Sequence, residues 1–338
     1  MLHYDMKMLL SIIIPTWNGL RHLPTCLEAL FSQLPAYAEI ILVDNGSTDA
    51  TASWCQTTYP EVRIISLQEN RGFTGGITTG LRAAQGQYLL LLNDDAFVEP
   101  HCLDVLLETL EHNPHIGAAG GLLTFAHQPD LVASAGIRTR YDGVALDLWT
   151  GRTTQSLPPT PINIMGPSGA AALYRRELLE DVGLFEPTFF AYLEDVDLAW
   201  RAILRGWRSV VVPSARIRHV YSATSGQGSS FKQRLLGRNR WRAILRCWPT
   251  RLLQICLPLM ITYDTLAMSY GLAYNQRAMV QGRLAVLREL STIFEQRQAI
   301  QMRRIASVEA FARWLEPVPM PHTSLRDQQK LNAILQQR

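Results

Sequence analysis

The sequence has few cysteines, and their arrangement excludes the small proteins that are held together by disulfides. Five cysteines occur among 338 residues; the number is odd, the spacing is wide and no CxxC pair appears. A disulfide framework normally has an even number of cysteines at regular, short spacings. We therefore expect reduced thiols, as in cytosolic proteins.

The sequence also lacks an excess of charge of one sign, which argues against nucleic acid as a partner. The net charge is +3, charged residues make up 18% of the chain and hydrophobic residues 47%. These are the values of globular proteins rather than of disordered chains. Basic residues concentrate between positions 201 and 251. This concentration predicts a local surface for phosphates or anionic lipid head groups.

A signal-peptide pattern and an uninterrupted membrane span are absent as well. A strand pattern begins at Leu9 with no apolar h-region before it. Residues 252–274 are strongly apolar, but they include Pro258, Gly271 and, near the middle, Asp264. Because a charge at the centre of a bilayer is costly, we expect this helix to lie on the membrane or to pack onto the main domain. A cytoplasmic protein, peripheral on the cytoplasmic membrane face, is the expectation.

The chain does contain a regular alternation of strand and helix patterns. Short apolar segments rich in Ile, Leu or Val, typical of buried strands, lie at 9–15, 39–43, 62–67, 87–92 and 116–122. Helical spacing connects them, and the rhythm predicts an α/β domain with a mainly parallel sheet flanked by helices. The pattern weakens over 124–161, which fits an antiparallel excursion. A further strand is predicted at 209–213, and the chain reads as all-helical after 237, with an amphipathic helix predicted over 281–304.

Polar clusters follow three of these strands. They are PTWN at 15–18, DNGSTD at 44–49 and NDD at 93–95. Each alone is compatible with a turn or a helix cap. Ligands of open α/β sheets bind outside the carboxyl ends of the strands, so three clusters in series favour one shared ligand site. The glycine-rich stretch 71–80 does not satisfy GxGxxG, which disfavours an NAD-type oxidoreductase.

The sequence resembles the family-2 glycosyltransferases of GT-A fold. The matching stretches are IIIPTWNG at 12–19, ILVDNGSTD at 41–49, NRGFTGG at 70–76, LLLNDD at 90–95 and YLEDVDLAWR at 192–201. The resemblance implies a Rossmann-like mixed, mainly parallel sheet with a C-terminal helical extension. It divides the chain into a nucleotide-sugar glycosyltransferase domain over 1–240 and a helical, membrane-associated tail over 241–338. The weak segment 124–161 then fits an acceptor-facing insertion.

The resemblance implies nucleotide-binding roles for ten residues. Asp44 would accept a hydrogen bond from the ring N–H of uracil or thymine, and Thr16 and Asn18 would line the base and ribose. Arg71 and Gly72 would begin a glycine-rich turn at the diphosphate, although Thr78 or Thr79 stands where the family commonly has Asn. The predicted set is Pro15, Thr16, Asn18, Asp44, Asn45, Ser47, Arg71, Gly72, Asp94 and Arg238.

The resemblance also implies metal and catalytic residues. The Asn93-Asp94-Asp95 stretch resembles the DxD metal motif, and carboxylate oxygens suit Mn²⁺ or Mg²⁺. Asp95 and His219 are the predicted ligands. Asp195 is the predicted catalytic base, and Glu194 would tune its pKa or hold the acceptor. The alternative role for this acidic pair is electrostatic stabilisation of a helix N-terminus.

Three further predictions concern the surroundings of this site. The small-residue stretch 167–171 is expected to precede a helix, beside the donor sugar and acceptor or in a packing contact. Asp197 and Arg201 are spaced as a helix-surface ion pair. A mobile loop at 225–230 would close and bring Arg238 to the diphosphate, or the basic helix start would face a membrane.

The resulting functional prediction is an inverting, metal-dependent glycosyltransferase that moves a sugar to a hydroxyl of a glycan or lipid-linked acceptor. Rhamnose from dTDP-rhamnose is the specific hypothesis for the donor. UDP-hexose, UDP-N-acetylhexosamine and UDP-galactofuranose are the alternative donors. A non-catalytic nucleotide- or carbohydrate-binding module is the alternative from another class.

Overall fold

The computed structural model describes residues 9–221 and 229–336, so the predicted loop residues 225–228 lie outside the described residues. The strands are β1 Leu10–Thr16, β2 Ala38–Asp44, β3 Arg63–Ser66, β4 Tyr88–Leu92, β5 Ala96–Val98, β6 Ile116–Phe125, β7 Gln128–Ser134, β8 Ile137–Arg140, β9 Ala145–Asp147, β10 Ile162–Ile164, β11 Ala171–Arg175, β12 Arg208–His219 and β13 Leu315–Glu316. The α-helices are α1 Leu23–Phe31, α2 Thr51–Thr58, α3 Gly72–Ala83, α4 Cys102–Glu111, α5 Arg176–Val182, α6 Glu194–Leu204, α7 Ser230–Cys247, α8 Thr250–Ala273, α9 Arg277–Ala285, α10 Leu290–Met302, α11 Val308–Ala312 and α12 Pro321–Leu335.

One mixed, mainly parallel sheet forms the centre of the molecule, in the order β10-β12-β6-β11-β4-β1-β2-β3. Strand β1 pairs in parallel with both β2 and β4, and β12 pairs in parallel with β6. Strand β11 runs antiparallel between β4 and β6. The predicted α/β architecture with flanking helices is confirmed, and β7 adds the antiparallel excursion.

The faces of β1 explain why its sequence is apolar throughout. Ile12 and Ile14 pack in the core beneath α1 and α4, whereas Ile13 packs in the core beneath α3. Successive side chains of a strand point to opposite faces, so a strand covered on both faces needs apolar residues at every position.

The glycine-rich stretch 71–80 is a helix rather than the predicted turn, because α3 begins at Gly72. A Cβ on Gly80 would lie 2.3 Å from the Ile13 side chain, and one on Gly76 would lie 3.2 Å from Pro15. The glycines therefore let α3 approach β1 closely, and the helix N-terminus comes to the carboxyl edge of the sheet.

Two other local predictions are wrong in detail. Residues 167–171 lead into strand β11, and the helix α5 follows that strand. The predicted strand 209–213 continues to His219 through an irregularity between Val212 and Arg216. Pro213 interrupts the regular register without ending the strand, since the ladder with β6 resumes at Arg216.

The C-terminal helices share a core with the first part of the chain. Trp200 of α6 packs edge-to-face with Trp248 and Phe311 in one buried cluster. Helix α7 runs without a break across position 240, and β13 pairs with β8. The predicted single helix 281–304 is instead α9, a 3-10 turn at Val286–Glu289 and α10.

Helix α8 matches the predicted apolar segment 252–274. Among the described residues, α8 is the helix that is long and apolar enough to cross a membrane by length and composition. Of its most apolar 18-residue stretch, 22% is buried. A core helix of a soluble protein meets the same criteria, so the contacts of α8 decide how it is used.

Candidate active site

A cavity of about 860 Å³ opens at the carboxyl ends of β1 and β4. Several of the predicted site residues line it, from segments far apart in the sequence. These residues are Pro15, Thr16, Asn45, Gly72, Asp94, Asp95, Glu194, Asp195 and His219. The convergence arises because β1, β2 and β4 are adjacent parallel strands, whose carboxyl ends meet at one edge.

Four predicted nucleotide-binding residues, at the end of β2 or in the loops after β1, β2 and β3, are not part of this lining: Asn18, Asp44, Ser47 and Arg71. Asp44 is buried, and its Oδ1 accepts a hydrogen bond of 3.1 Å from the Ser47 N–H. The Ser47 hydroxyl in turn accepts from the Asn18 N–H at 2.9 Å. These contacts fix the shape of the loops after β1 and β2.

Asn45 connects the loop after β2 to the start of α3. Its amide nitrogen donates to the Gly72 carbonyl at 2.9 Å, and its amide oxygen accepts from the Arg71 N–H at 2.9 Å. Gly72 has a positive φ of 72°, and a Cβ there would lie 2.3 Å from the Phe190 carbonyl oxygen. Only glycine fits this close approach with that backbone conformation.

Arg238 does not reach the cavity, contrary to the prediction that it contacts a diphosphate. Its guanidinium donates to the carbonyls of Thr188 and Phe189 at 2.8 and 3.0 Å. Asn239 donates to the Phe189, Ala191 and Tyr192 carbonyls beside it. These two residues hold the 3-10 turn at Pro187–Phe189, which leads into helix α6.

Asp95 and His219 are neighbours at the floor of the cavity. His219 pairs with Ala96 across β12 and β5, which brings its Nε2 to 3.2 Å from the Asp95 Oδ1. Burial alone raises the pKa of Asp95, but the charge and hydrogen bond of His219 outweigh it and the pKa is lowered. Asp95 is therefore an ionised, acceptor-rich group facing the cavity.

The spacing of this pair fits one divalent cation. Two adjacent ligands of an octahedral ion, each about 2.1 Å from it, lie about 3 Å apart. Within residues 9–221 and 229–336, no group of three or more His, Cys, Asp or Glu side chains has metal-binding geometry. A cation held by Asp95 and His219 would therefore need further oxygens from a bound ligand.

Asp94 faces the β1 side of the same cavity. Its Oδ2 accepts a hydrogen bond of 2.6 Å from the Thr16 hydroxyl. Burial raises the pKa of Asp94 to about 7, against the lowering effect of Thr16. A Cβ on Gly19 would lie 2.1 Å from the Thr16 Oγ1 and 2.2 Å from the Asp94 Oδ2. Glycine at this position therefore leaves room for the hydrogen bond between Thr16 and Asp94.

Asp195 stands at the start of α6 and lines the same cavity. Its two carboxylate oxygens accept N–H donors from Gly169 at 2.9 Å and from Val196 at 2.8 Å. Burial raises the pKa of Asp195, and these two donors counteract the rise. The side chain is thus oriented by the backbone, with remaining lone pairs available to a ligand.

Glu194 carries no comparable support. Its Oε2 is buried and has no hydrogen-bond partner among the described residues. Burial, reinforced by the charge of Asp195, raises the pKa of Glu194 well above its usual range. Asp195 therefore ionises first, and Glu194 holds its proton to higher pH than an exposed glutamate does.

Asp197 and Arg201 form a buried ion pair, not the predicted surface pair. The Arg201 Nε lies 2.8 Å from the Asp197 Oδ2 with both side chains almost fully buried. Arg246 of α7 adds a contact of 3.1 Å. The C-terminal helices cover this face of α6, which no helical spacing rule reveals.

Residues on the far wall of the cavity carry no sequence motif. Asp147 of β9 accepts a hydrogen bond of 3.1 Å from the Tyr221 hydroxyl. Its pKa is raised by burial and lowered less strongly by hydrogen bonds from Ser134 and Tyr221. Ser134 and Lys232 line the same wall. A single Asp in the loop-rich segment 124–161 gives no sequence signal of its own.

The sequence of the sheet and its loops places the chain in a family. Residues 11–183 match the family described as glycosyl transferase family 2. The chain belongs to this family. It is a glycosyltransferase, and it transfers a sugar from a nucleotide sugar.

This glycosyltransferase is similar in sequence to two curated relatives with different names. The N-acetylglucosaminyl-diphospho-decaprenol L-rhamnosyltransferase of Mycobacterium tuberculosis is 29% identical over 243 residues, which are 64% of this chain and 78% of the relative. The poly-beta-1,6-N-acetyl-D-glucosamine synthase of Staphylococcus aureus is 26% identical over 207 residues, 60% of this chain and 46% of the relative.

Solved structures confirm the GT-A fold of the glycosyltransferase. GalNAc-T7, solved with UDP, GalNAc and Mn²⁺, has a TM-score of 0.63 at 17% identity, covering 91% of this chain and 56% of that chain. The Pyrobaculum calidifontis mannosyltransferase PcManGT, solved with GDP-Man and Mn²⁺, has a TM-score of 0.51 at 17% identity, covering 90% and 85%. At these low sequence identities, the similarity shows the fold alone.

Proposed function

We propose that the enzyme is an inverting transferase that uses Mn²⁺ or Mg²⁺ to move a sugar from a dTDP- or UDP-linked donor to an acceptor hydroxyl. The observation that carries this proposal is that the Asp95–His219 pair and Asp195 line one cavity. A carboxylate for proton removal and a cation-binding pair are thereby available to the same bound donor.

Asp95 and His219 would hold the cation, which when bound stabilises the charge of the departing diphosphate. Thr16, Asn45 and Asp94 would bind the nucleotide half of the donor on the β1 side. Asp195 would accept the proton of the acceptor hydroxyl as that oxygen attacks the anomeric carbon from the side opposite the diphosphate. Glu194, whose pKa is raised by burial and by the charge of Asp195, would leave Asp195 as the member of the pair that ionises first.

Rhamnose from dTDP-rhamnose is the proposed donor, and the name of the mycobacterial relative supports it. Transfer from UDP-N-acetylhexosamine is the alternative, supported by the name of the staphylococcal relative. UDP-hexose and UDP-galactofuranose remain in the same chemical class. The acceptor is proposed to be a glycan or a lipid-linked glycan that binds beside Asp147, Ser134 and Lys232.

The proposed location is cytoplasmic. All five cysteines are buried and free, which fits a reducing compartment. In such a compartment the thiols would remain reduced without forming disulfides.

A nucleotide-release assay against dTDP- and UDP-sugars, with Mn²⁺, Mg²⁺ or chelator, tests the proposal. We expect one donor to release nucleoside diphosphate only with a divalent cation, and Asp95→Asn to weaken the metal dependence together with the activity. Binding without turnover of every donor would instead favour the non-catalytic nucleotide- or carbohydrate-binding module. Metal-independent turnover would contradict the role given to Asp95 and His219.

A further inference from the structure

Helix α8 presents a broad apolar face to solvent. Large side chains along it are more than half exposed, at Ile255, Ile261, Leu266 and Leu272. The rings of Tyr270 and Tyr274 contact each other at its C-terminal end, with centroids 4.4 Å apart. Contiguous exposed apolar surface of this kind marks an interaction site rather than ordinary surface.

An open groove extends this apolar face toward α9 and α10. The groove has a volume of about 310 Å³, and Ile261 and Met268 form its α8 side. Leu284, Leu287 and Leu290 form its other side, with Leu284 51% and Leu287 60% exposed. Helix α8 and the segment from α9 to α10 therefore offer one continuous hydrophobic surface.

The opposite side of α8 is anchored to the catalytic part by Asp264. Its carboxylate lies 2.7 Å from Arg240 Nη1 and 2.7 Å from Arg283 Nε, and it also accepts from the Trp241 indole. All three charged side chains are nearly fully buried. Withdrawing α8 into a bilayer would break this cluster and leave a charge in hydrocarbon, which is costly. The helix therefore lies along the protein instead of crossing a membrane.

The charges around the apolar face match an anionic surface. Arg251 lies in the first turn of α8, Arg277 follows its end, and Arg288 lies beside the groove; all three are exposed. In the fully described range 250–302, Glu295 is the exposed acidic residue. Basic residues near an anionic leaflet are attracted to it, and interfacial tyrosines are typical of membrane surfaces.

Helix α7 connects this surface to the active site. Phe231 and Leu236 line the catalytic cavity and are exposed, whereas Trp241 and Leu245 line the groove. Leu236 and Trp241 are five residues apart, about 7.5 Å along the helix. The mouth of the cavity therefore opens close to the apolar face.

We propose that the exposed face of α8 and its groove with α9 and α10 bind the surface of an anionic lipid bilayer, with α8 lying in the interface plane. In this position the cavity mouth at Phe231 and Leu236 faces the lipid. An acceptor carried by a membrane lipid would enter from that side; this last step rests on the proposed function, whereas the membrane contact does not.

Vesicle flotation tests the proposal with the full chain. We expect binding to vesicles of equimolar phosphatidylglycerol and phosphatidylcholine, weaker binding to phosphatidylcholine alone, and release by high salt or carbonate. The double variant Leu266→Glu/Leu287→Glu should bind at least about tenfold more weakly, because two exposed leucines no longer enter the interface. Met320→Glu, at a position 68% exposed outside α8–α10, should bind as the wild type does.

The outcomes separate this proposal from the proposed function. Nucleotide release in solution should be unchanged in the double variant, so loss of lipid binding alone supports the membrane contact. Absence of binding to either vesicle overturns the proposal. Extraction by detergent only overturns it in favour of a spanning helix. A dimer in sedimentation analysis that the double variant dissociates, without lipid binding, overturns it in favour of a second copy on this face.

Discussion

Asp195 and Glu194 are adjacent acidic residues with different surroundings. Two backbone N–H groups orient Asp195, whereas the Glu194 Oε2 has no partner among the described residues. Backbone donors favour the ionised form of a carboxyl group, and burial without donors favours the neutral form. The environment thus favours ionisation of Asp195 over Glu194, which is consistent with the base role proposed for Asp195.

Asp195→Asn should lower kcat by roughly two to four orders of magnitude, because the acceptor hydroxyl loses its general base. Donor affinity should be retained. The wild-type rate should fall as pH falls through the raised pKa of Asp195, since the base must be ionised, and the residual rate of the variant should lack this acid limb. Rate–pH profiles and calorimetric titration of nucleotide check both points.

Asp130→Asn changes an exposed acidic residue and serves as the matched control, with an unaltered profile. A variant Asp195→Asn that keeps full activity at every pH would contradict base catalysis by this residue.

Glu194→Gln should stabilise the protein, increasingly so as pH rises. Below the unfolded pKa of about 4.3, Glu194 is protonated in both states and has no effect. Above it the unfolded chain ionises first while the folded pKa is held well above that range, so wild-type stability falls until the folded pKa is passed. Urea unfolding of both proteins between acid and neutral pH measures the difference. A constant or inverted difference would show that Glu194 is ionised in the folded protein.

At the scale of elements, α8 shows how one buried charge determines the use of an apolar helix. Asp264 interrupts the apolar sequence, and the fold turns it toward Arg240 and Arg283. The remaining circumference of the helix is left exposed. By length and composition alone, the same helix could cross a membrane.

Asp264→Ala should destabilise the protein by about 3–5 kcal/mol, because Arg240 and Arg283 stay buried without a counter-ion. Chemical denaturation followed by circular dichroism measures the loss. Glu69→Ala removes an exposed partner of Arg71 at 3.8 Å and should change stability by less than about 1 kcal/mol. Equal effects of the two substitutions would mean that the Asp264 cluster is solvated in solution.

At the scale of the whole molecule, the catalytic sheet and the C-terminal helices are coupled through one core. Trp200 of α6 packs against Trp248 and Phe311, and Asp197 pairs with Arg246. We propose, as in the sequence-based division at 240, a glycosyltransferase part and a helical tail. The shared core indicates that the tail stabilises the part that carries Asp195.

A chain ending at residue 229 should lose cooperative unfolding, because the cluster around Trp200 becomes exposed and Asp197 loses a buried partner. Thermal scans monitored by near-ultraviolet circular dichroism check this expectation. A chain ending at residue 319 lacks only α12 and should keep a cooperative transition. Cooperative melting of the shorter chain would demonstrate that 1–229 is an independent domain.

The fold could be predicted where the local sequence determines the structure of its own segment. The apolar runs of β1, β2 and β4 and the polar clusters after them identified the sheet and its ligand-binding edge, since a doubly covered strand must be apolar and a parallel sheet gathers its carboxyl ends. Asp95 and His219 were found by resemblance, and the contact between them depends on the pairing of His219 with Ala96.

What only the tertiary structure decided are contacts between distant segments. Arg238 faces the turn before α6 instead of the cavity, Asp147 enters the cavity from the excursion, and Asp197 is buried beneath α7. The sequence by itself determined the α/β class, the catalytic family and most of the residues at the sheet edge. Side-chain direction and burial depend on which helix covers which face, and that is set by packing across the chain rather than by neighbouring residues.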